Sequence, residues 1–176
     1  MKNLLFLILI FLLNTGFVNS QTVNSDTEKG TTFIFVRHGE KADNTPNTNL
    51  SDVGNNRAKA LSRILSKVKV DAIFTTPLNR TKQTAQYVAE NNNLSIQTYD
   101  IDSNFAKMTD HLAQKYKGKT VLIVGHSNTL PINIARITNN KNQVIIPETE
   151  FDNLYIIQLN SDGNFTNLLQ LKYGDE

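Results

Sequence analysis

Two arginines and two histidines follow apolar segments of the chain closely enough to share one site. Arg37 and His38 come directly after one such segment, Arg80 follows a second shortly after its end, and His126 follows a third. If these segments are parallel strands, their carboxyl ends form the sheet edge at which α/β proteins bind ligands. A guanidinium offers a planar fork of donors that matches phosphate oxygens. The four side chains therefore predict an anion site for phosphate or a close mimic.

The apolar segments have the composition of strands. Residues 31–36 are β-branched and aromatic, too short for a helix and apolar on both faces, which is typical of a central strand between two helix layers. The segment at 94–98 is the weakest, and the last two flank a turn at 161–164. The predicted strands are 31–36, 70–74, 94–98, 119–124, 153–159 and 165–171.

Amphipathic helices are predicted between the strands. Ser51 is a suitable N-cap for the first helix, and the second helix follows Pro77, a favoured first-turn residue. The residues that line one side of each of the four helices are Ala58, Leu61, Ile64, Leu65 and Val68; Leu78, Thr81, Ala85, Val88 and Ala89; Phe105, Met108 and Leu112; and Leu130, Ile134 and Ile137. Alternating strands and helices predict a three-layer α/β/α fold with a mostly parallel central sheet and an antiparallel C-terminal edge. We expect one domain over residues 31–176.

Composition excludes several classes of function. The 176 residues contain 18 Lys and Arg against 16 Asp and Glu, and this net charge of +2 is too small for a nucleic-acid-binding surface. No cysteine is present, so disulfides, thiolate nucleophiles and thiolate metal sites are excluded. Only three histidines occur, and His111 lies apart from every motif on a predicted helix surface. We therefore expect no metal site and no cofactor.

The N-terminus has the pattern of an export signal. Lys2 gives a positive start, residues 4–13 form an apolar run of signal-peptide length, and Ser20 ends a stretch suited to cleavage. A membrane-spanning helix needs about twenty apolar residues. We expect a signal peptide at 1–20, a flexible leader at 21–30, and a periplasmic or secreted protein without stable membrane insertion. The alternative is an uncleaved anchor that extends through Val18.

Four segments of the chain resemble the histidine phosphatase superfamily, in its short phosphoglycerate-mutase-like branch. The resemblance covers residues 33 to about 159, and each segment has the expected strand or helix beside it. In chain order the segments are Val36–Glu40, Leu50–Gly54, Thr76–Ala85 and Val124–Thr129.

The resemblance implies a role for each basic residue. His38 is the nucleophile that becomes phosphohistidine, and Arg37 and Arg80 neutralise the phosphate oxygens in the transition state. His126 donates to a phosphate oxygen, and Gly39 lets the backbone bend beside the phosphate. None of these roles requires a metal or another cofactor.

Further polar residues are expected to contact the substrate. Ser127 follows His126 at the predicted start of a helix, whose free N–H groups favour an anion. Glu40 belongs to the loop after the nucleophile, so we expect it to border the pocket.

The general acid that protonates the leaving oxygen has no motif in this chain. The acid phosphatase branch of the family places an aspartate directly after the second histidine, but here that residue is Ser127. The mutase-like branch places the acid after the third strand, which favours Asp100 over Asp102. Glu40 and Glu150 are further candidates.

These observations predict an exported phosphomonoesterase that acts through a phosphohistidine on His38. Its expected partner is a small-molecule phosphomonoester or a phosphoprotein. One alternative is a phosphate- or phosphosugar-binding module of the cell envelope with weak catalysis, since the acid carries no motif. A second alternative is a phosphatase for phosphohistidine in proteins, because such enzymes are similarly short. An interaction domain that leaves the pocket unused is disfavoured, because two unneutralised arginines are costly to hold together.

Overall fold

Six strands and four helices alternate in the computed structural model, which describes residues 29–101 and 105–174. The strands are β1 (Thr31–Arg37), β2 (Ala72–Thr75), β3 (Ile96–Thr98), β4 (Thr120–Gly125), β5 (Asn153–Leu159) and β6 (Phe165–Lys172). The helices are α1 (Asp52–Ile64), α2 (Asn79–Asn92), α3 (Phe105–Lys115) and α4 (Leu130–Ile137). The predicted signal peptide at 1–20, most of the predicted leader, and Asp102 lie outside the described residues. In the part that the structure describes, no helix has the length and apolarity to cross a bilayer.

The strands form one sheet in the order β3-β2-β4-β1-β5-β6. Parallel pairs join β1 to β4, β4 to β2, and β2 to β3, whereas β5 and β6 pair antiparallel. The prediction of a mostly parallel sheet with an antiparallel C-terminal edge is confirmed. Val36 near the end of β1 pairs with Leu154 near the start of β5. The loop before β5 therefore lies at the same sheet edge as the carboxyl ends of β1, β2 and β4.

Helices cover both faces of the sheet. Phe33 and Phe35 of β1 belong to the apolar cluster that includes Leu112 of α3 and Ile134 of α4. The alternate residues of β1 point to the other face, where Ile34 and Val36 belong to the cluster formed with α1 and α2. The three-layer α/β/α prediction is confirmed, and both faces of β1 are buried as its apolar composition indicated.

The first helix begins where the sequence predicts but ends earlier. Ser51 is its N-cap, and the Ser51 hydroxyl accepts a hydrogen bond from the N–H of Gly54 at 3.1 Å. The prediction that Ile64 belongs to the buried face is wrong, because α1 ends at that residue and its side chain is 46% exposed. Leu65 and Val68 follow the helix, and Leu65 is buried in the core beside it.

The last helix starts one turn later than expected. Residues 127–129 form a turn, and α4 begins at Leu130. The carbonyl of His126 accepts hydrogen bonds from the N–H groups of Thr129 and Leu130. The expected helix start at Ser127 is therefore replaced by a turn that carries Ser127 past the end of β4.

Gly39 and Gly54 allow the loop after β1 to touch the first turn of α1. A Cβ on Gly54 would lie 2.3 Å from the backbone oxygen of Glu40, and a Cβ on Gly39 would lie 2.9 Å from the oxygen of Gly54. Neither residue has positive φ. The reason for glycine at position 39 is thus this close backbone approach, rather than the tight bend expected from the sequence.

Replacing Gly54 with alanine should destabilise the protein by roughly 1–3 kcal/mol, because the added methyl group meets backbone atoms that cannot rotate away. Urea unfolding of the purified variant measures this loss. Asn56→Ala is the control, because Asn56 is an exposed position of the same helix. An unchanged free energy of unfolding in Gly54→Ala would contradict the close approach.

Candidate active site

The four basic residues predicted from the sequence lie around one cavity of about 380 Å³. The cavity is at the carboxyl ends of β1, β2 and β4, as expected for a ligand site in such a sheet. The ring centroids of His38 and His126 are 5.2 Å apart. The lining residues are Arg37, His38, Lys41, Leu78, Arg80, Ile101, His126, Ser127, Asn128 and Glu148.

The guanidinium of Arg37 is buried and held by the loop before β5. Its Nη1 donates to the carbonyl oxygens of Pro147 at 2.9 Å and Glu150 at 3.0 Å, and its Nη2 donates to the Glu148 carboxylate at 2.6 Å. The ring of Phe151 packs against it at 4.1 Å. Within the described residues, Nε of Arg37 has no hydrogen-bond partner, so one donor of the fork remains free.

Arg80 supplies a second guanidinium from the first turn of α2. Its Nη1 donates to the carbonyl of Pro46 at 2.9 Å, and its Nε is buried without a partner among residues 29–101 and 105–174. Burial lowers the pKa of both Arg37 and Arg80, and their mutual repulsion adds to the effect at Arg37. A buried cation, Arg37, and a half-buried one, Arg80, with unused donors are stabilised by an anion between them.

His38 is buried in the uncharged form. Its Nδ1 lies 2.7 Å from the carbonyl oxygen of Gly39, and since a carbonyl can only accept, Nδ1 carries the proton. Nε2 is therefore left with a free electron pair. Burial, together with smaller contributions from His126, Arg80 and Arg37, lowers the pKa of His38 from 6.5 to about 3. The geometry gives a neutral imidazole with one unprotonated nitrogen, as a nucleophile requires.

His126 is fixed by two buried threonines. Its Nε2 lies 3.0 Å from the hydroxyl of Thr76, and that hydroxyl lies 2.9 Å from the hydroxyl of Thr81. Because the hydroxyl of Thr76 occupies Nε2, Nδ1 is the ring nitrogen left for a ligand. Burial lowers the pKa of His126 to about 4, helped by the charges of Arg80 and Arg37. Thr76 lies inside a predicted motif, but its contact with His126 was not foreseen.

Glu148 contributes a carboxylate that sequence reasoning missed. Its Oε2 pairs with Arg37, and its Oε1 accepts a hydrogen bond from the Ser127 hydroxyl at 2.5 Å. The hydrogen bond from Ser127 lowers the pKa of Glu148, and the charge of Arg37 lowers it further. Among the described residues, Glu148 is the only carboxylate that lines the cavity. Nothing in the local sequence marks it, since its partner Arg37 is 111 positions away.

Two residues expected to contact substrate are engaged elsewhere. The carboxylate of Glu40 forms a two-point ion pair with Arg57, with a shortest distance of 2.6 Å. The N–H of Gly39 donates to the hydroxyl of Thr84 at 2.9 Å. Neither Glu40 nor Gly39 lines the cavity, so the structure does not bring these two to the substrate position. Ser127 does line it.

The expected general acids are not in the cavity lining. Asp100 is exposed and lies beside Ile101, which does line the cavity. The side chain of Glu150 bonds to Lys172 at 2.8 Å and is not part of the cavity lining, although its backbone carbonyl accepts from Arg37. Asp102 lies outside the described residues.

No metal-binding arrangement is found among the described residues, in the sense that no three His, Asp or Glu side chains are grouped closely enough to hold an ion. His111 is exposed on α3, as predicted. Lys41 and the apolar side chains of Leu78 and Ile101 complete the lining of the cavity.

Residues 33–101 match the model of the histidine phosphatase superfamily (branch 1). The resemblance inferred from the sequence is confirmed, and three of its four segments lie within the match. The fourth segment, which carries His126, lies beyond the match, and the fold brings it to the same cavity. No curated protein matches the chain in sequence.

Three solved structures with the same fold are phosphatases of low sequence identity to this chain. The protein histidine phosphatase SixA, complexed with tungstate, is 18% identical with a TM-score of 0.67, over 80% of this chain and 96% of its own. A mycobacterial glucosyl-3-phosphoglycerate phosphatase is 13% identical with a TM-score of 0.61, over 84% of this chain and 100% of its own. A phosphoserine phosphatase mutant from Entamoeba histolytica, in complex with phosphoserine, is 14% identical with a TM-score of 0.59, over 82% of this chain and 97% of its own. These similarities establish the fold.

His38 and His126 should remain uncharged at about pH 5, where an ordinary imidazole with a pKa near 6.5 is mostly protonated. Both folded-state pKa values lie below that ordinary value, so His38 binds its proton only near pH 3 and His126 only near pH 4. NMR titration of the imidazole signals checks this, with His111→Gln removing the third histidine from the spectrum. Because the unfolded chain binds these protons near its ordinary pKa, stability should fall as pH drops from about 6.5 toward 4. A midpoint near 6.5 for either buried histidine would contradict the account.

Proposed function

We propose that the chain, as a member of the histidine phosphatase superfamily (branch 1), hydrolyses phosphomonoesters by passing the phosphoryl group to His38 and then to water. One observation carries the proposal. Two guanidiniums and two uncharged imidazoles line a single cavity, with Nε2 of His38 unprotonated and the Nε donors of Arg37 and Arg80 unpartnered in the described part of the chain. Such a site matches a tetrahedral anion beside a nitrogen nucleophile.

Each basic group has a separate task in the proposed reaction. Arg37 and Arg80 bind the non-bridging phosphate oxygens and stabilise the charge that they carry as the transferring group moves. Nδ1 of His126 is the nitrogen available to a further oxygen, because Thr76 holds Nε2. Nε2 of His38 attacks phosphorus while Gly39 holds Nδ1. The proposed reaction uses no metal ion, since the arginines supply the positive charge.

The substrate is proposed to be a phosphorylated small molecule. The cavity of about 380 Å³ has room for more than a phosphate group, and Lys41, Leu78 and Ile101 offer one charged and two apolar contacts beyond it. Two of the fold relatives are named for small phosphorylated acids, glucosyl-3-phosphoglycerate and phosphoserine. This supports a small phosphomonoester as the substrate class.

A phosphohistidine protein phosphatase is the second candidate. The fold relative SixA is a protein histidine phosphatase, and the alignment covers 96% of its chain. The short chain has no inserted domain over the cavity in its described part, which leaves the site accessible to a side chain on a protein surface. Hydrolysis of a phosphohistidine peptide, compared with that of small phosphomonoesters, distinguishes the two candidates.

Export is part of the proposal and rests on the N-terminal sequence. The apolar run at 4–13 and the site ending at Ser20 have signal-peptide form. We expect the mature protein, recovered from the periplasm or medium, to begin at Gln21 when its N-terminus is sequenced. Recovery of a chain that retains residues 1–20 in the membrane fraction would replace this with the anchored alternative.

The purified full chain should hydrolyse p-nitrophenyl phosphate at a rate that a chelator does not change. His38→Ala should reduce this rate to background because the nucleophile is lost, whereas His111→Ala, which removes an exposed histidine, should retain it. A colorimetric assay over a broad pH range measures all three proteins.

Two outcomes of this assay would contradict the proposal. Full activity in His38→Ala would exclude His38 as the nucleophile. Absence of wild-type hydrolysis across a panel of phosphomonoesters, with inorganic phosphate still bound, would identify the protein as a phosphate-binding module.

A further inference from the structure

The proposed reaction needs a proton for the leaving oxygen, and the described cavity has one carboxylate that can bring it. Nitrogen displaces an alkoxide from phosphorus readily only if that oxygen is protonated as it leaves. Glu40 is paired with Arg57 and Glu150 with Lys172, and Asp100 is exposed outside the cavity lining. We propose that Glu148 is the general acid of the phosphatase reaction proposed above, on which this assignment rests.

The backbone around Glu148 is anchored on the phosphate-binding arginine itself. The carbonyls of Pro147 and Glu150, on either side of it, both accept from Nη1 of Arg37. The Ser127 hydroxyl donates a hydrogen bond to Oε1 of Glu148. The carboxylate is thus positioned by three elements, the end of β1, the turn after β4 and the loop before β5. A substrate phosphate bound to Arg37 necessarily lies beside it.

Exposure places Glu148 on the side where the leaving group must be. The side chain of Glu148 is 77% exposed, whereas that of Arg37 is 4% exposed. His38, at the buried end, is 4% exposed. A phosphoryl group attacked by His38 from the interior carries its leaving oxygen on the opposite side, in line with the attacking nitrogen. That side faces the solvent, where Glu148 lies and the buried histidines do not.

Ionisation of Glu148 changes when the substrate binds. In the free site Ser127 and Arg37 keep its pKa low, and the titratable groups His38 and His126 also lie close enough to interact with its charge. A bound phosphate takes over donors of Arg37 and adds negative charge, and both changes favour the protonated carboxyl. A phosphomonoester monoanion, whose second pKa is about 6, carries the required proton into the site.

The two half-reactions then balance. In the first, the electron pair of His38 Nε2 forms the N–P bond, the bond from phosphorus to the leaving oxygen breaks, and the Glu148 proton binds that oxygen to release the alcohol. In the second, a water oxygen bonds to phosphorus, its proton returns to the Glu148 carboxylate, and the N–P pair returns to His38. Inorganic phosphate leaves, and Glu148 is protonated again.

Leaving-group dependence tests the assignment in the full chain. Glu148→Gln preserves the size and polarity of the side chain but cannot supply an acidic proton. On an alkyl phosphate such as glycerol 2-phosphate, kcat/KM, which reports the steps up to release of the alcohol, should fall by about 100-fold or more. On p-nitrophenyl phosphate it should fall only a few-fold, because nitrophenolate leaves without a proton. Glu150→Gln is the control from the same loop and should affect both substrates equally.

Two results would overturn the assignment while the proposed function stands. An equal loss of kcat/KM on both substrates in Glu148→Gln would show that Glu148 only positions Arg37. A leaving-group-dependent loss in Asp100→Asn or Asp102→Asn, but not in Glu148→Gln, would move the acid to the segment after β3. Failure of the wild-type chain to hydrolyse any of a panel of phosphomonoesters would instead overturn the proposed function, and the assignment with it.

Discussion

A buried guanidinium at the end of the central strand constrains the rest of the site. Arg37 is placed by β1 at a position with almost no solvent, where an uncompensated charge would be too costly to bury. Its compensation comes from two carbonyls and one carboxylate of residues 147–150, together with the face of the Phe151 ring. That loop is available only because β5 runs antiparallel to β1 and so begins where β1 ends. The antiparallel edge of the sheet is therefore part of the site.

The same cations determine the state of the histidines. His38 and His126 share the cavity with Arg37 and Arg80, and burial together with these neighbouring charges keeps both rings neutral. Because Nδ1 of neutral His38 donates to the Gly39 carbonyl, Nε2 is unprotonated and needs no separate base to act as a nucleophile. Among the described residues, Glu148 is the one carboxylate in the cavity that opposes the arginines. The resulting net positive charge favours an anion over any neutral ligand.

The sequence predicted the fold and the basic residues because both depend on local patterns. The apolar strand β1 and its ending at Arg37 and His38 can be read within eight residues, and Arg80 and His126 likewise follow short apolar segments. The sheet edge then brings them together by topology alone. The fold class is confirmed for this reason. The end of α1 and the start of α4 differ from the prediction, because caps and turns override periodicity at helix ends.

Residues fixed by long-range contacts could not be predicted in this way. Glu148 and Phe151 lie in a loop without a pattern, and they reach Arg37 across more than one hundred residues of chain. Glu40 was expected at the substrate because it follows the nucleophile directly, but its carboxylate turns to Arg57 of α1. Proximity in sequence gives the position of a backbone segment at the site, while side-chain direction depends on which partner charge is near in space.

The central claim is that His38 carries the phosphoryl group, and direct detection of that intermediate tests it best. The protein is mixed with p-nitrophenyl phosphate, quenched in alkali during turnover to preserve phosphohistidine, and digested for mass spectrometry. The account predicts one added phosphoryl group on the peptide that contains His38, and none in His38→Ala. Turnover with no modified peptide, or with the group on another residue such as His126, would contradict it.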